Sequence, residues 1–236
     1  MIASAEVVRR IIAAPAPVLL PDTCALLDLM RDPTREAFSS DQVAAAQRLL
    51  LRAEARPRTL WVPISAQVLI ERGDQQKNVK RDAAVQIRNL EERIHRVQSI
   101  MAAHGLNTTA IAPTLVASNF PDTANSMVDR YFSAGQHVRN QRGIERRAYA
   151  RIAANRAPSQ KGQQAKDCIV IESYLHLASQ LRDQRFEGTI VFLTTNRRDY
   201  SDPANFATVH QDLVAEFGAV NMTYAVNFQM AEYQLA

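Results

Sequence analysis

Ile190-Val191-Phe192-Leu193-Thr194-Thr195-Asn196-Arg197-Arg198-Asp199 sets four apolar residues ahead of a polar turn that ends on an acid. The apolar run reads as a buried strand, and the turn as the loop at its carboxyl end. A run near the N-terminus has the same grammar: Val18, Leu19 and Leu20 lead through Pro21 to Asp22. Parallel sheets place ligand sites at the carboxyl ends of their strands, so both acids stand where chemistry is expected.

Outward from these runs, short strands alternate with helices. The pattern predicts a helix over Glu6 to Ala13, one capped by Asp22 or Thr23 and running through Met30, and one from about Asp41 to Ala55. A short strand follows at Thr59 to Val62, after which Pro63 and Ser65 open a helix carrying Glu71. Further on, a helix opens near Lys166-Asp167 and buries Ile169, Val170, Ile171, Tyr174, Leu175 and Leu181, before a strand at Thr189 to Leu193. A helix from about His210 to Phe217, a strand at Thr223 to Val226 and a last helix complete the chain. This predicts an α/β fold, with a mainly parallel central sheet of four or five short strands flanked by helices.

The stretch from about 74 to 157 contains no convincing strand and reads as a helical insertion within one domain spanning 1–236. Val79, Ala83, Ile87, Leu90, Ile94, Val97 and Met101 recur every three or four residues, predicting one helix from Gln75 to Met101 with a continuous apolar seam on which subunits could pair. Lys77, Arg81, Arg88 and His95 fall on a separate stripe, read as a solvated face. Gly105 and Asn107 break the pattern, and Pro113 and Pro121 frame a loop before a second helical stretch, from Thr123 toward Asn155. That stretch interleaves seven arginines with Tyr131, Phe132, His137 and Tyr149. Such a mixture suits single-stranded nucleic acid, where bases stack and phosphates pair; it equally suits a helical hairpin whose aromatics pack on the seam. Arg139, Arg142 and Arg146 are the candidate nucleic-acid contacts here. Lys161 and Lys166 join them, on or beside a polar loop near Asp167.

The 236 residues are 47% hydrophobic, enough for a sizeable core, with a net charge of +4 carried almost wholly by Arg. Arg suits phosphate because its planar fork binds two oxygens at once. Cys24 and Cys168 each lie in an apolar run, which favours buried, reduced thiols and a cytoplasmic setting. Without a CxxC pair a zinc ribbon is excluded. Arg9 to Leu20 mimics a signal peptide, but Pro15, Pro17 and its short length argue against one. No apolar run is long enough to cross a bilayer, so no membrane role is expected.

Asp22, Glu71, Asp167 and Asp199 are the candidate catalytic and metal-binding residues. Singly, each has an ordinary reading as a helix cap, surface acid or turn former. Two unit charges about 4 Å apart repel by about 4 kcal/mol at an effective dielectric near 20, against a total stability of roughly 5–15 kcal/mol. Four converging carboxylates therefore require a cation, and all-oxygen ligation selects Mg²⁺ or Mn²⁺. Competing motifs are missing: there is no GxGxxG, P-loop, HExxH or GxSxG, and Cys24 stands where a phosphatase of the haloacid-dehalogenase type needs its second Asp. The histidines show no metal-ligand spacing.

Four segments resemble, in order, the motifs of PIN-domain nucleases, in particular the larger bacterial PIN-like proteins: Leu20-Pro21-Asp22-Thr23, Ile70-Glu71, Lys166-Asp167-Cys168-Ile169-Val170-Ile171-Glu172 and Val191 to Tyr200. The resemblance covers about 17–72 and 158–230, and it departs at Cys24, where many relatives have Asn. It implies a three-layer PIN-like fold with Asp22, Glu71, Asp167 and Asp199 around a Mg²⁺ or Mn²⁺ ion. Thr194, Thr195 and Asn196 would form hydrogen bonds behind them. The implied activity is metal-dependent endoribonuclease cleavage of RNA; alternatives are a single-stranded DNA nuclease or a catalytically silent module that binds RNA or protein. Toxin roles with a protein inhibitor or antitoxin, RNA processing and phage defence all fit this resemblance.

Overall fold

Helix α1 (Ser4–Ala13) turns Val7, Val8 and Ile11 inward and stops before Pro15, which cannot donate to a helical carbonyl. Strand β1 (Val18–Pro21) follows, and Asp22 caps the short helix α2 (Thr23–Asp28). Ser39 caps α3 (Ser40–Glu54), whose Ala45, Ala46, Leu49, Leu50 and Ala53 recur at three- and four-residue spacing and are fully buried. Strand β2 (Pro63–Ser65) runs straight into α4 (Ala66–Ala103), a single helix of 38 residues capped by Ser65. Then come α5 (Phe120–Ala134), β3 (Gln136–Val138) and α6 (Ile144–Ala153). The C-terminal part comprises α7 (Ala165–Asp183), β4 (Ile190–Leu193), the one-turn α8 (Arg197–Tyr200), α9 (Gln211–Ala219), β5 (Met222–Ala225) and α10 (Phe228–Gln234). This computed structural model describes residues 1–36, 38–106, 114–160 and 164–236.

Two small parallel sheets organise these elements. β1, β4 and β5 pair in that order, with Val18 opposite Ile190 and Ile190 opposite Met222; β2 pairs with β3. Trp61 joins them, since its carbonyl accepts from Leu19 N–H at 2.8 Å and its own N–H donates to Pro17 O at 2.9 Å. Through that bridge the strands lie in the order β3-β2-β1-β4-β5, all pointing one way. Their carboxyl ends form a single rim, and the order reverses between β1 and β4, so the loops leaving these two strands part and leave a crevice. Every residue of β1 and β4 is buried, as befits central parallel strands covered on both faces. Beneath the rim, the Phe192 ring meets those of Tyr174, Tyr200, Phe217 and Tyr224 at centroid distances of 5.2–6.4 Å.

The structure corrects the sequence reading in the middle of the chain. The strand expected at Thr59 to Val62 is displaced toward the C-terminus: regular pairing starts at Pro63, and Trp61 supplies only the bridge. The region read as a purely helical insertion returns a strand, β3, which splits the helical stretch expected from Thr123 toward Asn155. Gly135 makes that return feasible, because a Cβ there would lie 2.5 Å from Ile64 Cδ1. The region also shares the main core through Val128, Tyr131 and Phe132. The predicted seam of α4 is only half used: Ala83 and Ile87 are buried, Leu90 and Ile94 half-buried, and Val97 and Met101 exposed. Lys77, Arg81, Arg88 and His95 are exposed, as a solvated face would be. Asn107 and Pro113, assigned to a helix break and a loop, lie outside the described residues. Among the described residues no helix is long and apolar enough to cross a membrane.

Candidate functional site

Each of the four acids is delivered to the carboxyl rim by a different element. Asp22 continues β1, its N–H donating to Leu193 O of β4 at 2.8 Å. Its side chain turns back to cap α2, so that Oδ1 accepts from Thr23 N–H at 2.7 Å and Oδ2 from the Thr194 hydroxyl at 2.8 Å. Glu71 lies on the buried face of α4 with Gln67, one turn earlier, whose amide donates to Glu71 Oε1 at 3.1 Å. Asp167 lies in the first turn of α7. Asp199 belongs to α8 and accepts from Asn196 Nδ2 at 2.9 Å and from Gln164 Nε2 at 3.4 Å.

Two buried tyrosines, Tyr174, which the sequence reading took as core, and Tyr200, to which it gave no role, fasten these elements together. The Tyr174 hydroxyl donates to Pro21 O at 2.7 Å and accepts from Ser65 N–H at 3.3 Å, tying α7 to the ends of β1 and β2. The Tyr200 hydroxyl donates to Asp167 O at 3.0 Å, tying α8 to the start of α7. Nothing in the residue pattern distinguishes them from packing aromatics. Gln67 and Gln164 were equally hidden, because one amide in a helix carries no signal of its target.

The acids act on one another electrically. Burial pushes the Asp167 carboxyl up to about 8, with further repulsion from Asp22, Glu71 and Asp199. Burial likewise pushes Asp22 up to about 7; the Thr194 hydroxyl opposes the rise and Glu71 adds to it. Burial, then Asp22 and Asp167, hold the Cys24 thiol well above its usual range, so it stays neutral. Among the described residues none of the four acids forms an ion pair with Lys or Arg, and no set of three or more His, Cys, Asp or Glu side chains is arranged to hold a metal ion. The carboxylates are near enough to repel but are held apart, as four like charges on one rim should be. Thr23 Oγ1 and Gln164 Oε1, beside Asp22 and Asp199, are buried without a hydrogen-bond partner. An all-oxygen set with orphaned neutral oxygens at its margin fits a hard divalent ion and its water better than a soft one.

The remaining predicted residues divide. Thr194 is buried against Asp22 and Asn196 orients Asp199, whereas Thr195 faces a cleft next to them. Of the seven arginines between 130 and 156, Arg130 pairs with Glu54, Arg147 with Glu172, Arg151 with Glu172 and Glu216, and Arg156 with Glu216. Arg139, Arg142 and Arg146 are exposed and, among the described residues, unpaired; Arg139 follows the carboxyl end of β3 directly, on the same rim as the acids. Lys166 is exposed and 3.3 Å from Asp74, and Lys161 lies outside the described residues. Tyr131 and Phe132 are packing residues, though not on the α4 seam: the Tyr131 ring meets Phe228 at 5.9 Å, and the Arg72 guanidinium lies 4.1 Å from the Phe132 ring centre. His137 binds the Phe132 carbonyl, and Tyr149 alone of the four is exposed.

No protein-family model, curated protein or solved structure matches this chain.

Proposed function

We propose that this chain is a metal-dependent nuclease of the PIN type, hydrolysing phosphodiester bonds in RNA. One observation carries the reading. Asp22, Glu71, Asp167 and Asp199, on four separate elements, stand about the strand-order reversal; the other three repel Asp167, Glu71 repels Asp22, and among the described residues none of the four pairs with a Lys or Arg. The parallel order β3-β2-β1-β4-β5, with β1 and β4 buried at every residue, supports the three-layer PIN-like description.

Asp22, Glu71, Asp167 and Asp199 would hold Mg²⁺ or Mn²⁺, which when bound makes water a nucleophile at neutral pH and draws charge from a phosphoryl oxygen. Thr23 N–H and Thr194 fix the Asp22 carboxylate in one orientation, leaving its other lone pairs free. Asn196 and Gln67 do the same for Asp199 and Glu71. Asp22 and Asp167, raised to about 7 and 8, must shed protons before they can serve as ligands, so affinity should climb with pH through that range. Arg139, Arg142 and Arg146 are exposed, among the described residues unpaired, and available to phosphates of the strand.

The test is incubation with a panel of RNA and single-stranded DNA in Mn²⁺ and in EDTA, comparing wild type with Asp167→Asn. RNA should be cut only by the wild type in Mn²⁺, with a loss of roughly 100-fold or more in the variant. RNA and DNA both left intact under all conditions would refute the nuclease and leave a silent binding module. Cleavage of DNA alone would reassign the substrate.

A further inference from the structure

A cleft of about 370 Å³ opens beside the acids. Cys24, Asp28 and Arg31 line one side, Thr195, Asn196 and Arg197 another, and Arg35 and Phe38 add to the wall. Two of these residues connect it to the carboxylates: Asn196 donates to Asp199 at 2.9 Å, and Cys24 feels the charges of both Asp22 and Asp167. A strand crossing the acids would thus reach this cleft with its neighbouring nucleotide.

The lining is built for a phosphate and a flat ring. Three arginines stand against one aspartate. Arg31 Nε lies 3.2 Å and Arg35 Nη1 3.3 Å from Asp28 Oδ1, so that single carboxylate is shared between two guanidinium groups. Arg31 Nε is also buried and misaligned for a hydrogen bond to Asp28, which leaves it unsatisfied. Arg197 is exposed and, among the described residues, has no ion-pair partner. Phe38 is half-buried, one part packed on the core, with the Arg35 guanidinium 5.8 Å from its ring centre. Aromatic and guanidinium faces side by side offer a stacking platform that tolerates any base, and the volume lies within the range of small-ligand pockets.

We infer that this cleft binds one nucleotide of a single strand, with its base against Phe38 and its phosphate between Arg31 and Arg197. That this nucleotide flanks the bond to be cut rests on the nuclease reading; the affinity of the cleft for a nucleotide does not.

The test is fluorescence anisotropy with 5′-labelled U6 RNA and dT6 DNA in EDTA, using the full chain as wild type, Arg197→Ala, Phe38→Leu and Asp167→Asn. Arg197 is exposed, so its removal should leave the melting temperature unchanged, and Leu at position 38 keeps the core contact while removing the ring. Arg197→Ala should weaken binding of at least one hexamer roughly tenfold and reduce the slope of log K on log salt by about 0.7. Phe38→Leu should weaken it at least about fivefold. Asp167→Asn should bind as tightly as wild type or tighter. If wild type binds neither hexamer, or both cleft variants bind like wild type, the cleft is not a nucleotide site, even where Mn²⁺-dependent cleavage is intact. If the cleft variants lose binding but no preparation cleaves RNA, the cleft stands and the nuclease falls.

Discussion

Asp22 shows how much of this site rests on single neutral donors. Its buried carboxylate is opposed by Glu71 and, among the described residues, steadied by the Thr23 N–H and the Thr194 hydroxyl. Thr194→Val keeps the shape and removes the hydroxyl, so the Asp22 carboxyl should rise further above about 7 and Mn²⁺ affinity at pH 7 should fall by roughly 10- to 100-fold. Because the loss comes from protonation, it should shrink as the pH is raised toward 9. Mn²⁺ titrations at several pH values check this, and an affinity equal to wild type at pH 7 would reduce Thr194 to a packing residue. The position of Thr194 could be read from the sequence because it follows a strand directly. Thr23, Gln67 and Gln164 could not, since their significance lies in which atom they face across the rim.

Strands β1 and β4 were legible because each is a run of apolar residues buried on both faces. β3 was not: it is three residues long, Val138 alone of them is buried, and it lies between two helices of strong periodicity. The displaced start of β2 has a similar cause. Trp61 and Val62 are buried like strand residues, but the chain is there crossing from the edge of β1 toward β3, so hydrophobicity marks burial rather than register. The crossing depends on Gly135, whose missing side chain lets β3 approach Ile64 and whose neighbour Gln136 donates to Val62 O at 2.9 Å. Gly135→Ala should cost about 1–3 kcal/mol by urea denaturation, the usual range for overpacking. Adding Ile64→Val, which removes the clashing Cδ1, should restore part of it. An alanine variant as stable as wild type would mean that β3 docks less tightly than described. Likewise, the seam of α4 reads in sequence as one stripe from Val79 to Met101, yet only its first half meets partners among the described residues. Periodicity shows which face is apolar and cannot show how far along it a neighbour extends.

The gathered carboxylates set the pH dependence of the molecule as a whole. An unfolded Asp titrates near 3.9, whereas Asp22 and Asp167 in the folded chain titrate near 7 and 8. Between about pH 4 and 8 the folded state therefore binds more protons than the unfolded one, and stability declines as pH rises, levelling off above pH 8. In EDTA the fall between pH 5 and 8 should be at least about 1.4 kcal/mol, the worth of one pKa unit, or a few degrees in melting temperature for a chain of this size. The double variant Asp22→Asn, Asp167→Asn should flatten it. Mg²⁺ at about 100 times its dissociation constant should restore about 2.7 kcal/mol at pH 8 and less at pH 5. Thermal melts along both axes decide the matter, and a wild-type stability that rises with pH in EDTA would contradict the described electrostatics. The single direction of the five strands has a practical consequence. The acids and Arg139 lie where the strands end, while the opposite edge carries Pro15, Pro17 and the exposed Glu187 just ahead of β4. Four extended residues separate the two edges by about 13 Å. A dye or tether attached through Glu187→Cys would thus hold the protein by its inert side and turn its reactive side toward whatever is flowed past it.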